Sequence, residues 1–159
     1  MILMDAKNEV TTFIDKSNAP HSENSIIEKV TNSNLSSIIN SISIESLSGT
    51  WVGEDFIDKI VILRGGRGFV IYQNGASMNI SIKIEDGKLI ATQTSKSNAS
   101  YFPEISREKA LELAPTAEPI KWKLNIKNST ELEGTKYTLT EKSQNSPEFS
   151  NIPVKWKKL

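Results

Sequence analysis

The chain has 159 residues, 19 Lys plus Arg against 19 Asp plus Glu, and no cysteine. That length fits one domain that buries a core without a staple, and the missing cysteine excludes disulfides, thiolate metal sites and a cysteine nucleophile. A formal charge of zero lacks the basic excess of nucleic-acid binders, no apolar run reaches membrane-spanning length, and Met1–Met4, followed at once by Asp5, is too short for a secretion signal. The expectation is a cytoplasmic protein that contacts neither nucleic acid nor membrane.

Residues 1–47 are rich in Asn, Ser and Ile and contain no Gly. Met4, Val10, Phe13 and Ile14 predict a helix over about 4–16. After the break at Asn18-Ala19-Pro20, Ile26, Ile27, Val30, Ile38, Ile39 and Ile42 recur at helical spacing, with Ser22 and Ser25 as N-caps. They predict one amphipathic helix, or two short ones, over about 23–44. This segment reads as a helical cover for a sheet or as a docking arm for a partner.

From Ser48 the apolar pattern switches to period two. Gly65-Gly66, Asn74-Gly75 and Asp86-Gly87 are dipeptides of the kind that close two-residue hairpins. Two-residue turns at all three place Ile60, Ile62, Phe69, Ile71, Met78, Ile80, Ile82, Ile84, Leu89 and Ala91 on one face, because directly opposed residues share a face. The other face carries Ser77, Asn79, Ser81, Lys83 and Glu85, with an apolar patch of Val61, Leu63, Val70 and Tyr72. Four consecutive antiparallel strands result, over about 58–64, 67–73, 76–85 and 88–95.

The Tyr101-Phe102-Pro103 connection that follows reads as a buried plug, a lid or a contact patch. Ser106 caps a helix over about 107–114, stopped by Pro115. Ile120, Trp122, Leu124 and Ile126 then alternate with Lys121, Lys123, Asn125 and Lys127. Leu132–Thr140 reads as a strand with a bulge at Gly134, where the apolar parity shifts towards Tyr137 and Leu139. Val154 and Trp156 mark the last strand. With a first strand at Thr50–Glu54, about eight antiparallel strands form an up-and-down meander, closed as a barrel or strongly curled. The chain thus divides into a helical segment, 1–47, and a β domain, 48–159.

Gly49-x-Trp51 opens the first strand directly after a helical lead-in. In this the chain resembles the lipocalins and related calycin barrels. The resemblance implies that Trp51 closes the barrel base and is covered by a cationic side chain from near the barrel's end, here Lys155 or Lys157. Two departures stand out: the family's Thr-Asp-Tyr signature is absent, and helices precede the barrel rather than follow it.

No residue presents itself as catalytic or metal-binding, and no cofactor is expected. His21, the sole histidine, lies in a linker, so a zinc site would have to rely on carboxylates and a Ser-His-Asp triad could use only this residue, outside the predicted barrel. Ser106 and Lys109 match Ser-x-x-Lys, but a helix N-cap accounts for Ser106. Glu54, Asp55 and Asp58 form an acidic cluster suited to acid–base work or simply to a solvated turn. Arg64 and Arg67, opposed across the first hairpin, would repel unless an anion lay between them. The expected function is therefore a non-enzymatic binder of a small apolar or amphipathic anionic ligand. Its lining would be Phe69, Ile71, Met78, Ile80, Ile82 and Trp122, with Arg64 and Arg67 near the mouth. The alternative is a protein-interaction module, such as an inhibitor or immunity-type protein, meeting a partner protein or a second copy through the outer apolar patch.

Overall fold

The computed structural model describes residues 42–143 and 146–159. The helix expected over 4–16, and nearly all of that over 23–44, lie outside the described residues. What remains of the lead-in is one helical turn, α1 (Ile44–Leu47), closed at its start by a capping box between Ser43 and Ser46.

Eight antiparallel strands follow: β1 (Gly49–Val52), β2 (Ile57–Ile62), β3 (Arg67–Tyr72), β4 (Ser77–Glu85), β5 (Lys88–Gln93), β6 (Lys121–Asn128), β7 (Glu131–Ser143) and β8 (Ser146–Lys158). Each pairs with the next, and β1 pairs with β8, so the meander closes as an up-and-down barrel. The closing seam is short, with only Trp51–Lys158 and Val52–Lys157 as pairs. Between β5 and β6 the chain forms a 3-10 turn (Ala99–Tyr101) and the helix α2 (Arg107–Leu113), which Ser106 caps as expected. No helix among the described residues is long and apolar enough to cross a membrane.

Loop length decides which residues face inward, and two of the three glycine turns differ from expectation. Leu63 N–H bonds Arg67 C=O and Tyr72 N–H bonds Ala76 C=O, so the first two loops have three residues each, Arg64–Gly66 and Gln73–Gly75. Gly66 (φ 81°) and Gly75 (φ 93°) take the left-handed conformation that ends such a loop. The Asp86-Gly87 turn, with both φ angles positive, is the expected two-residue type. One extra residue at each end of β3 flips that strand alone. Val61, not Ile62, opposes Phe69, and Val70, not Ile71, opposes Met78. Phe69 and Ile71 therefore face outward, half-exposed, while Val70 and Tyr72 are buried. The two slips cancel from β4 onwards, so Met78, Ile80, Ile82, Leu89 and Ala91 keep the predicted inward face. The barrel accordingly survives although Phe69 and Ile80 point to opposite sides.

The expected bulge at Gly134 is also absent, since pairing with β6 and β8 runs through it without a break. The apolar parity in the sequence shifts because two inward positions, Lys136 and Thr138, are polar. Only further along the β7–β8 hairpin does the opposite face become apolar, with Leu139 buried and the Phe149 ring edge-on to Phe102.

The interior is filled rather than hollow. Trp51, Trp122, Trp156, Tyr72, Ile60, Ile62, Met78, Ile80 and Leu89 are almost fully buried, and Tyr101, Phe102 and Ile105 plug one end. At the other end Trp51 gives its indole N–H to Leu47 C=O at 2.9 Å. The cation over Trp51 is Lys158, with Nζ 5.9 Å from the ring centroid. Lys157 pairs with Val52 and so faces outward, as does Lys155 two residues before it. Gly49 (φ 134°) makes the arrangement possible, since a Cβ there would lie 2.9 Å from the Lys158 stem.

Candidate functional site

The expected acidic cluster is split by the backbone. Asp55 and Asp58 are exposed, whereas the Glu54 side chain turns into the barrel and is only 3% exposed. One Glu54 oxygen, Oε2, accepts the indole N–H of Trp122 at 2.7 Å and that of Trp156 at 2.5 Å. The other, Oε1, lies 3.2 Å from Lys136 Nζ. Trp122 on β6 and Trp156 on β8 stand either side of β7, and their rings meet edge-to-face at 6.0 Å.

Lys136 is directly opposite Trp122 in the β6–β7 ladder, and its ammonium sits 5.4 Å from the Trp122 ring centroid. It is 1% exposed. A second carboxylate, Glu104 Oε2 from the plug, approaches Nζ at 3.1 Å. Burial alone would lower the Lys136 pKa, but Glu54 and then Glu104 raise it above its ordinary value, so the ammonium stays charged. Two carboxyl groups thus meet one ammonium, with Glu54 and Lys136 almost fully buried and Glu104 at the edge of solvent.

Tyr72 completes the surroundings. Its ring stacks on Tyr101 at 5.7 Å. Burial, and then the charges of Glu104 and Glu54, hold its hydroxyl well above its ordinary pKa, so it remains a neutral phenol. The buried atoms Tyr72 Oη, Glu104 Oε1 and Thr138 Oγ1 have no hydrogen-bond partner among the described residues. Buried polar atoms are rarely left so.

A cleft of about 550 Å³ opens beside this cluster, with Glu54 and Glu104 in its wall. The inward-facing Ile152 and Val154 line it, together with Phe56 from the β1–β2 loop. Phe56 is a bulky residue held at φ 67° and left 46% exposed, a costly arrangement for an aromatic side chain. The lining continues past Gly134, a wall position without a side chain, to Asn125, Lys127 and Glu133.

The residues expected to form a ligand site are not brought together. Met78, Ile80, Ile82 and Trp122 point inward but are packed into the core. Phe69 and Ile71 are on the outer face. Arg64 lies in an exposed loop, and Arg67 opposes Ser81 and Leu63 rather than Arg64, so no anion is needed between them. Lys136 and Glu104 went unnoticed in the sequence. Reading β7 as an unbroken strand from Leu132 would have placed Lys136 inside.

A protein-family model described as TP_0183_C, C-terminal, matches residues 41–159, the segment that forms the barrel. No curated protein and no solved structure matches the chain.

Proposed function

The chain belongs to the TP_0183_C, C-terminal family, and from that premise we propose that its barrel is a non-enzymatic binding module for a small amphipathic ligand. The ligand sits in the cleft beside Glu54 and Glu104, not in the barrel's interior. The supporting observation is the cleft itself. Its volume, about 550 Å³, lies within the roughly 300–1,000 Å³ range of ligand pockets. Its wall combines apolar Phe56, Ile152 and Val154 with two carboxylates anchored from behind by Lys136. An apolar wall with a few fixed polar groups is what small-molecule recognition requires. The anionic head group expected from Arg64 and Arg67 is not part of this reading, because those side chains do not converge.

A second reading, a protein-interaction module, has its own observation. Val61, Leu63, Phe69 and Ile71 share the outer face of β2 and β3, and Leu63 is 43% exposed. Four neighbouring apolar side chains on one solvated face favour a protein partner. Native mass spectrometry of the protein purified from its own host separates the two. A co-purifying small molecule that is lost in Val154→Arg supports the cleft. A bound second protein that is lost in Leu63→Asp, with no small molecule, supports the outer face and overturns the cleft.

A further inference from the structure

We infer that the outer face of β1–β3 docks a second copy of this chain, related by a two-fold axis, so that each copy meets the other with the same patch. This rests on the second reading above, which gives that face to a protein partner, and names the partner. It is independent of the cleft. Three observations lead to it.

The first is an apolar middle. Thr50 opposes Val61 and Val61 opposes Phe69, so the three share the outer face in one row. Leu159, whose N–H bonds Thr50 C=O at 2.9 Å, continues that row. Leu63 and Ile71 stand on either side of it, each two residues along its strand. Leu63 is 43% and Leu159 82% exposed, and they are two of the four exposed large apolar side chains among the described residues. Such a concentration on one face marks a contact surface. The second is charge at the two ends of the β2–β3 hairpin. Asp55 and Asp58 are exposed where the chain enters β2, and Arg64 and Arg67 are exposed around its turn. Lys59, opposite Ile71, leaves the acidic end with a net charge of −1 against +2 at the turn. None of these five groups has an ion-pair partner among the described residues, whereas Lys83 and Lys157 at the margins hold Glu85 and Glu131. The third is symmetry. Leu63 faces Arg67 across the turn, and Asp58 lies about 17 Å from Leu63 at the rise of a strand, with Val61 near the middle. A two-fold axis at Val61 therefore sets the arginine end of one copy over the aspartate end of the other, twice, and apolar on apolar between them. A two-fold interface requires this kind of self-complementarity. The chain's formal charge of zero adds no long-range repulsion between copies.

The patch is smaller than the roughly 20–30 residues a side of a standard interface, so the dimer is expected to be weak, with a Kd on the order of micromolar. Sedimentation velocity of the full chain over a concentration series is expected to show a species of twice the chain mass. Leu63→Asp is expected to weaken it roughly thirtyfold or more, because each substitution enters the interface twice. Arg64→Asp with Arg67→Asp makes both ends negative, and Asp55→Arg with Asp58→Arg makes both positive. Each double variant alone is expected to dimerise roughly tenfold more weakly, and an equal mixture of the two is expected to regain the dimer. Unchanged near-ultraviolet circular dichroism checks the folding of every variant. If Leu63→Asp breaks the dimer and the mixture does not regain it, the two-fold arrangement is overturned while the face remains a protein-contact surface. If the parent chain is a monomer throughout, or its dimer survives Leu63→Asp, the second copy is overturned. A different protein lost from native mass spectra in Leu63→Asp then keeps the second reading, and its absence ends both. A monomeric parent whose urea midpoint falls in Leu63→Asp means that the chain covers this face itself, which also overturns the inference.

Discussion

The two ends of the barrel both seat tryptophan against lysine, and they treat charge in opposite ways. At the base, Trp51 gives its N–H to a backbone carbonyl, and Lys158 lies over the ring with Nζ 3.0 Å from Ser46 C=O and its stem partly in solvent. Among the described residues nothing ionised is buried there. At the other end, Trp122 and Trp156 share the Glu54 carboxylate, and Lys136 is enclosed between Glu54 and Glu104. Desolvating three charged groups costs several kcal/mol each, and their mutual attraction offsets this only with excellent geometry. An apolar filling of similar volume is commonly as stable. The base shows that this sequence can close a barrel end without burying charge. If the cleft takes the ligand proposed for it, the triad serves that cleft's wall rather than the stability of the fold.

The largest expected effect comes from removing the acceptor that joins the triad to the core. Glu54→Ala leaves two indole N–H groups without their acceptor and Lys136 with one carboxylate instead of two. Urea unfolding should show a loss of about 3–5 kcal/mol, the range for breaking a buried ion pair. A loss below about 1 kcal/mol would mean that the two ends are energetically alike. Replacing the charges without orphaning the indoles should behave differently. The triple change Glu54→Gln, Glu104→Gln and Lys136→Met removes every charge of the triad, keeps an oxygen for Trp122 and Trp156, and should fall within about 1–2 kcal/mol of the parent in the same measurement. A cost equal to that of Glu54→Ala would make the triad a stability element and remove the reason for assigning it to a ligand.

The Glu54 result would also mark where the sequence was legible. The meander, the number of strands and the inward face of β4 and β5 could be read from glycine turns and period-two alternation, because those signals are local. Orientation of β3 could not. Gly65-Gly66 and Asn74-Gly75 fit a two-residue loop and a three-residue loop equally well as dipeptides, and only the pairing Leu63–Arg67 shows which is used. The cleft was less legible still. Lys136 breaks an apolar pattern, and in the sequence a bulge explains that break as well as a buried charge does. Its partners come from 82 and 32 positions away, Glu54 from a loop and Glu104 from the plug, and no spacing rule links them. The cation at the base was displaced by one position for a related reason: the β1–β8 register brings Lys158, not its neighbour, to Trp51.

Alkaline pH should act on the charged end by a smaller amount. Lys136 and Tyr72 both have raised pKa values, from ordinary values of 10.5 and 10.0. Each therefore holds its proton more tightly folded than unfolded. The unfolded chain releases these protons first, so their contribution is complete below about pH 10 and is lost as pH rises through the folded values. Urea midpoints measured from pH 8 to 11 should be level at first and then decline. Tyr72→Phe should make that decline shallower. An unchanged slope would mean that burial and the nearby carboxylates do not hold the phenol's pKa up.

The smallest effect is expected at the base. Lys158→Met keeps an apolar stem beside Gly49 and over Trp51 while removing the ammonium, so what is lost is the cation–π contact and the bond to Ser46 C=O. Contacts of this kind at partly solvated sites are worth about 0.5–1 kcal/mol. Because Lys158 and Glu54 share no partner, combining Lys158→Met with Glu54→Ala should give a sum of the two separate losses, to within about 0.5 kcal/mol. A larger departure would couple the two sites through the shared strand β8, on which Trp156 and Lys158 stand two residues apart. In that case occupation of the cleft would be felt at the base, and Trp51 fluorescence, in a chain whose Trp122 and Trp156 are replaced by Phe, would report it.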